Sequence, residues 1–246
     1  GAFDYGPLGA QLKKNIRDKW WRDFIERRDD VVGIETPIIL HPQVWHKSGH
    51  IKNFVDPLVE CKSCKKRHRV DHLYRDNEAI TNKLISIQGL PSHAEQEAAY
   101  TKLMQETPPS KSQLNCCNNA QLSDASMFNL LFHTHYGPTL KTLAAAESSE
   151  SCHHYLRPET AQGIFVNFNN VTSTIRKRIP FGIGQTGKSF RNEISPRDFL
   201  FRMREFEQME LEYFCEPEKS RQTFNEWVQF CTDWLQSIGI RNFKCY

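Results

Sequence analysis

The chain has 246 residues, a formal net charge of +3 and 39% hydrophobic residues. That is enough for one large domain or two small ones, and the charge is too mild to mark a nucleic-acid binder by itself. No apolar run approaches the roughly 20 residues of a membrane span, no basic and apolar leader marks secretion, and the eight cysteines are too scattered for a small disulfide framework. The expectation is a reducing compartment, the cytoplasm or an organelle, with no membrane partner.

Pro7 to Arg28 reads as an amphipathic helix: Pro7 suits a first turn, and Leu8, Leu12, Ile16, Trp20 and Phe24 recur every four residues. Val31 to Leu40 is β-branched and interrupted by Pro37, which predicts two short extended pieces. His41 to Trp45 starts a short helix that stops near Ser48-Gly49. Cys61-Lys-Ser-Cys64 has the spacing of half a zinc knuckle. Two readings stay open for it, a structural zinc and an unmetallated remnant. The second half is the difficulty, because Cys116 and Cys117 are adjacent and adjacent side chains do not easily reach one tetrahedral ion, so His68 or another histidine is a candidate ligand. Arg67 to His72 reads as a basic turn. Glu78 to Gln88 and Ala94 to Gln105 are two helices, and Pro108 to Ser123 is a polar loop. Met127 to His135 reads as one core strand with His133 and His135 satisfied by neighbours rather than by metal, and Ala144 to Ser151 as a mobile loop. A helix is predicted from Arg157-Pro158-Glu159-Thr160, with Glu159 in its first turn beside the positive end of the dipole. Pro217 to Ile238 is a last amphipathic helix, stopped by Gly239.

Between these two helices lies FGIGQTGKSFRNEISPRDFLFRMREFEQMELEYF, Phe181 to Phe214. It reads as strand, turn and strand, with the turn at Ser195 to Asp198. Strict alternation puts Phe206, Gln208, Glu210, Glu212 and Phe214 on one face of the second strand, and Glu207, Met209, Leu211 and Tyr213 on the other. Pattern alone leaves two readings. One is a solvated sheet face laced with ion pairs, each contributing about 0–1 kcal/mol. The other is a site for a polyanion beside an ammonium group, since arginine forks suit phosphate oxygens and carboxylates suit an amine.

FRNEISPR followed by FRMREFEQMELEYF resembles motif 2 of the class II aminoacyl-tRNA synthetases, and in detail the homodimeric glycyl-tRNA synthetases. The resemblance continues through YLRPETAQGIFVNF and back to DYGPLG near the start, and is weakest between about Arg75 and Asp124. It implies an α+β fold, an antiparallel sheet flanked by helices, with an insertion. It divides the chain into 1–60, the motif 1 part of a catalytic core; 61–125, an insertion carrying the knuckle and facing the acceptor end of tRNA; and 126–246, the core with motif 2. Motif 1, with Pro42 as its proline, implies a homodimer. Motif 3 and an anticodon-binding domain are not matched, so the expectation is an incomplete catalytic region that is inactive alone.

The implied reaction is glycine activation with ATP and Mg²⁺, then transfer of glycine to the 3′ end of tRNA(Gly). The resemblance puts ATP against Arg191, Asn192 and Glu193, and against the run Phe201, Arg202, Met203, Arg204, Glu205 and Phe206. Arg191 is the catalytic candidate on the α-phosphate, Arg202 meets the outer phosphates and Phe206 stacks on adenine. Glycine falls against Arg69, from the pattern Arg69-x-Asp71-His72-Leu73, against Glu159, and against the run Phe206, Glu207, Gln208, Met209 and Glu210. Cys61 and Cys64 are the metal candidates. The other class left open is a non-catalytic relative, such as the accessory subunit of mitochondrial DNA polymerase, against which the intact RNE, FRMREF and EQME elements argue.

Overall fold

A computed structural model describes residues 3–75, 77–117, 121–134, 154–196 and 198–244. His135, Arg197 and the loop expected at 144–151 lie outside the described residues. The chain forms two compact units: Gly1–Asp4 with Ile38–Glu159 and Lys188–Phe206, and Tyr5–Pro37 with Thr160–Gly187 and Glu207–Tyr246. Among the described residues no helix is long and apolar enough to cross a membrane.

The second unit is a three-layer stack. Helix α1 (Pro7–Trp21) runs on through a π-helical turn (Arg22–Glu26), which together make up most of the predicted helix. Strand β1 (Val31–Gly33) pairs parallel to β8 (Phe181–Phe190), and β8 neighbours β9 (Glu205–Phe214). Gly182 lies against Tyr213 and Arg191 bonds Arg204, so the long hairpin is antiparallel. One face of the sheet carries Trp20, Phe24, Ile25 and Val31, closed by Leu211, Tyr213 and the aromatic side of α9 (Ser220–Ser237). Phe24 is stacked on Trp20 at 5.0 Å and met edge-on by Phe230 at 4.9 Å, arrangements that aromatic quadrupoles favour. Gly184 makes this approach possible: a β-carbon there would sit 2.9 Å from Ile25. The other face takes α8 (Ala161–Ile175), with Ile164, Phe181 and Ile183 fully buried beside Phe168 and Phe214. The predicted stripe of α1 is only half used, because Trp20 and Phe24 are buried while Leu8 and Leu12 are exposed.

The first unit holds two antiparallel three-stranded sheets. In one, β7 (His154–Leu156) lies between β2 (Ile39–Leu40) and β6 (His133–Thr134). In the other, β3 (Val55–Glu60) lies between β4 (Arg67–Arg69) and β5 (Ser126–Asn129). Helices α2 (Pro42–Lys47) and α3 (His50–Asn53) precede β3; α4 (Val70–Leu73), α5 (Glu78–Gln88), α6 (His93–Glu106) and the short α7 (Lys111–Leu114) follow β4. Val59, Leu73, Tyr74, Leu84, Tyr100 and Leu103 form the core between the β3 sheet and this helical block. Helix α6 begins one residue before its predicted start because Ser92 and Glu95 close a reciprocal capping box.

Several predicted elements change: the basic turn expected at Arg67 to His72 is strand β4 followed by helix α4, and the polar loop expected at Pro108 to Ser123 contains the short α7. Met127 to His135 is not one strand: Asn129 Oδ1 accepts the Leu131 N–H at 2.8 Å, turning the chain so that β5 and β6 join different sheets. Helix α8 starts at Ala161, four residues late. The Arg157 N–H bonds Ile38 O at 3.0 Å and the Thr160 N–H bonds Glu210, so the segment stays outside the helix and Glu159 is not in its first turn.

Candidate functional site

In the first unit, Arg191 follows directly on β8. Its backbone N–H donates to Arg204 O at 2.9 Å and its Nε to Pro158 O at 3.1 Å. The guanidinium lies 5.4 Å from the Phe206 ring and 5.7 Å from the Phe54 ring, within cation–π range of both. The facing carboxylate, Glu159, is 4.0 Å from Nη2, too far for a hydrogen bond. Arg191 is thus fixed by a carbonyl and two aromatic faces, with Glu159 as an ion-pair partner at the 4.0 Å limit and no carboxylate hydrogen-bonded to its fork among the described residues. Glu159 is itself approached by His50 Nε2 at 3.4 Å, and His50 Nδ1 meets Ser48 Oγ at 2.8 Å. His50 packs edge-on against the buried Trp45.

The neighbours of Arg191 mostly brace the loop. Asn192 is anchored through its N–H to Leu130 O at 2.8 Å and through Nδ2 to Asn129 O at 3.1 Å. Arg204 Nε donates to Glu193 O at 3.1 Å, Met203 is buried, and Glu205 is paired with Lys188. Arg202 is exposed and carries no ion pair among the described residues, whereas Phe201 points 84% into solvent.

Arg69 is in a different state from Arg191. Asp71 grips its fork from two sides, Nε to Oδ1 at 3.1 Å and Nη2 to Oδ2 at 2.7 Å, and Asp56 takes Nη1 at 2.8 Å. Burial raises both carboxyls; at Asp71 the Arg69 guanidinium outweighs it and the net shift is down, whereas at Asp56 burial wins and the shift is up. Three of the donors of Arg69 are occupied by the protein, so the residue expected to contact glycine serves first as the centre of a charge cluster.

In the second unit, parity along β9 divides the remaining candidates. Glu207 faces α1, held by Lys13 at 2.8 Å and Arg17 at 3.1 Å. Burial would raise its carboxyl, but these two cations hold it below the ordinary range. Met209 shares that side. Gln208 and Glu210 lie on the opposite face, where Glu210 Oε2 accepts the N–H of Thr160 at 3.1 Å and its hydroxyl. The expected run 206–210 therefore does not converge on one point: the pleat sends Glu207 and Met209 away from Gln208 and Glu210.

The cysteines converge more closely than their spacing suggests. The sulfurs of Cys61, Cys64, Cys116 and Cys117 all lie within 4.8 Å of one another. Cys61 Sγ is 3.6 Å from Cys117, Cys64 Sγ 2.9 Å from Cys116, and the adjacent Cys116 and Cys117 are 3.9 Å apart. A tetrahedron of thiolates about 2.3 Å from one zinc has edges of about 3.8 Å, so the four positions fit such an ion. His68, a candidate ligand by sequence, is not in the cluster, whose four members are all cysteines. Adjacency is no obstacle here: Cys61 and Cys64 share a turn closed by the Lys65 N–H on Cys61 O at 2.8 Å, and each meets a different one of the adjacent pair, Cys61 with Cys117 and Cys64 with Cys116. The Cys61 thiol is drawn down to about 6, first by the Cys64 backbone N–H, and Cys116 is pushed up to about 12, first by its contact with Cys64.

Sequence reasoning passed over His50, Phe54, Asp56 and Thr160. Thr160 enters the sequence reading only within the predicted helix start at Arg157 to Thr160, and His50 follows directly on the expected helix stop at Ser48-Gly49.

Residues 145–246 match the tRNA synthetase class II core domain (G, H, P, S and T). The chain is 48% identical over 240 residues to the glycine–tRNA ligase of Ruminiclostridium cellulolyticum and 47% identical over 244 residues to that of Geobacillus kaustophilus, each alignment covering 98% of this chain. The chain is thus similar to glycine–tRNA ligases along nearly its whole length, with the class II synthetase core domain matched over residues 145–246. It spans about half the length of these relatives, 48% and 49%. The fold of the synthetase family is also seen in the structure of the RNA binding domain of threonyl-tRNA synthetase from Cryptosporidium parvum, at a TM-score of 0.52 and 18% identity, over 97% of this chain and 38% of that one.

Proposed function

We propose that the chain is part of a glycine–tRNA ligase, which converts glycine and ATP to glycyl-adenylate and pyrophosphate and then passes glycine to the 3′ end of tRNA(Gly), releasing AMP. The observation that carries this reading is the identity of 44–48% with glycine–tRNA ligases over nearly the whole chain. Arg191 is the catalytic residue of the proposal. ATP enters as its Mg²⁺ complex, the glycine carboxylate attacks the α-phosphorus as the bond to the β-phosphate breaks, negative charge builds on the phosphoryl oxygens, and pyrophosphate leaves. An arginine held in place with no carboxylate hydrogen-bonded to its fork among the described residues is suited to that charge, since its stabilisation then needs little reorganisation. Arg202, exposed and with no ion pair among the described residues, is the candidate for the outer phosphates, and Phe206 offers adenine an aromatic face. Glu159 and Glu210 are proposed for the glycine ammonium, with Gln208 beside Glu210. Asn192 and Arg204 hold the loop in register.

We further propose that Cys61, Cys64, Cys116 and Cys117 hold a structural zinc, that residues 61–125 form an insertion meeting the acceptor end of tRNA, and that the protein works as a homodimer in the cytoplasm or an organelle. Glycine-dependent ATP–pyrophosphate exchange in the full-length protein tests the ligase reading. Exchange that requires glycine supports it, and its absence from a folded protein that binds ATP overturns it.

A further inference from the structure

Glu210, which the ligase reading gives to the substrate ammonium, is the end of a buried chain of donors. Its Oε2 accepts twice from Thr160, through the backbone N–H at 3.1 Å and through the hydroxyl. Thr160 is fully buried and is the N-cap of α8, yet its side chain caps no helical N–H. That is unusual for a threonine at this position, where the hydroxyl ordinarily accepts from the first turn. Here it donates outward. The Thr160 carbonyl in turn accepts from Gln185 Nε2, and Gln185 Oε1 accepts from Thr36 Oγ1 at 3.0 Å. Gln185 is wholly buried and Thr36 nearly so. Gly163, one turn into α8, makes room for the start of the chain: a β-carbon there would stand 2.3 Å from Thr36 Oγ1.

Every donor points towards Glu210. Thr36 donates to Gln185, Gln185 to the Thr160 carbonyl, and Thr160, through its own N–H and hydroxyl, to the carboxylate, so the buried Gln185 amide pins the residue whose two donors hold Glu210. Burial fixes the polarity, because reversing any link would leave a buried group facing its own kind. Glu210 has no other hydrogen bond or ion pair among the described residues, which makes Oε1 the oxygen available to a ligand. Glycine has no side chain to grip. Its affinity must come from its ammonium and carboxylate, and the depth at which the carboxylate of Glu210 stands decides how well the ammonium is held.

We infer that Thr160 is a positioning residue for the amino-acid site, setting Glu210 through its hydroxyl, with Gln185 and Thr36 as its buried support. The inference rests on the ligase reading and goes beyond it by assigning ammonium affinity to a residue that does not touch the substrate. In the full-length protein, Thr160→Val removes the hydroxyl and keeps both the shape and the N–H. The glycine KM in pyrophosphate exchange should rise about tenfold, as for a lost hydrogen bond to a charged group, with the ATP KM within about twofold. Thr160→Ser restores the hydroxyl and should return the glycine KM to the wild-type value. An unchanged glycine KM in Thr160→Val overturns the inference while leaving the ligase reading intact. So does a loss in which both KM values and the melting temperature move together and serine does not rescue. A wild-type protein without glycine-dependent exchange removes the ligase reading, and this inference with it.

Discussion

Arg69 and Arg191 carry the same charge and meet opposite surroundings. Asp56 and Asp71 occupy the fork of Arg69, with its three contacts between 2.7 and 3.1 Å. Arg191 rests on Phe54, Phe206 and one carbonyl, with its nearest carboxylate partner at 4.0 Å. Removing them should therefore have different consequences. Arg191→Ala takes away a fixed cation that strengthens its hold only as the phosphoryl group gains charge, a loss that typically costs about 2.7–4 kcal/mol in the barrier, or roughly 10²–10³ in rate. Arg191→Lys should recover little, since a point charge neither forks across two oxygens nor stacks between two rings. Arg69→Ala leaves two part-buried carboxylates without their cation, so melting temperature should fall more than turnover. Exchange rates and thermal melts on the three variants check this; an Arg191→Ala protein with wild-type turnover would sink the assignment.

At the level of elements, the zinc proposal depends on a turn and a short segment rather than on any regular structure. If Cys117 completes the tetrahedron, the protein as isolated should contain about one zinc per chain, and chelation should lower its melting temperature, because metal binding to a preformed site is folding free energy. Cys117→Ser should reduce the content in metal analysis. A zinc-free protein that melts as the untreated one does would rule the site out. The part of Cys116 and Cys117 is not legible in the sequence because their partners Cys61 and Cys64 lie 56 and 52 residues away, and local spacing carries no information on that meeting. Periodic elements were easier. Strand β9 has its predicted bounds, and α5 and α6 are close to theirs, since alternation and capping are local signals. What escaped was decided by partners distant in sequence. The start of α8 is delayed by bonds to Ile38 and Glu210. Of the candidate site, the motif residues could be named from the chain, but the inward or outward sense of Glu207 depended on Lys13 and Arg17, 194 and 190 residues away.

For the whole molecule, the apolar stripe of α1 poses the remaining question. Trp20 and Phe24 complete the aromatic core, but Leu8 is 89% and Leu12 61% exposed on the same helix. Burying a leucine side chain is worth about 1.5–3 kcal/mol, and a helix that repeats its stripe past the point where its own core ends is built for further cover. In the proposed homodimer that cover is a second copy, with a two-fold axis bringing the same surface of each protomer to the other. Sedimentation of the full-length protein should then report a dimer at micromolar concentration. Leu8→Asp with Leu12→Asp should shift it towards monomer while leaving the aromatic core of each protomer intact, because exposed positions away from caps and cavities usually change stability by no more than about 0.5 kcal/mol. The decisive pair of measurements is mass and melting temperature on the same sample: a dimer unmoved by both aspartates places the interface elsewhere, and a clean wild-type monomer removes the dimer from the proposal.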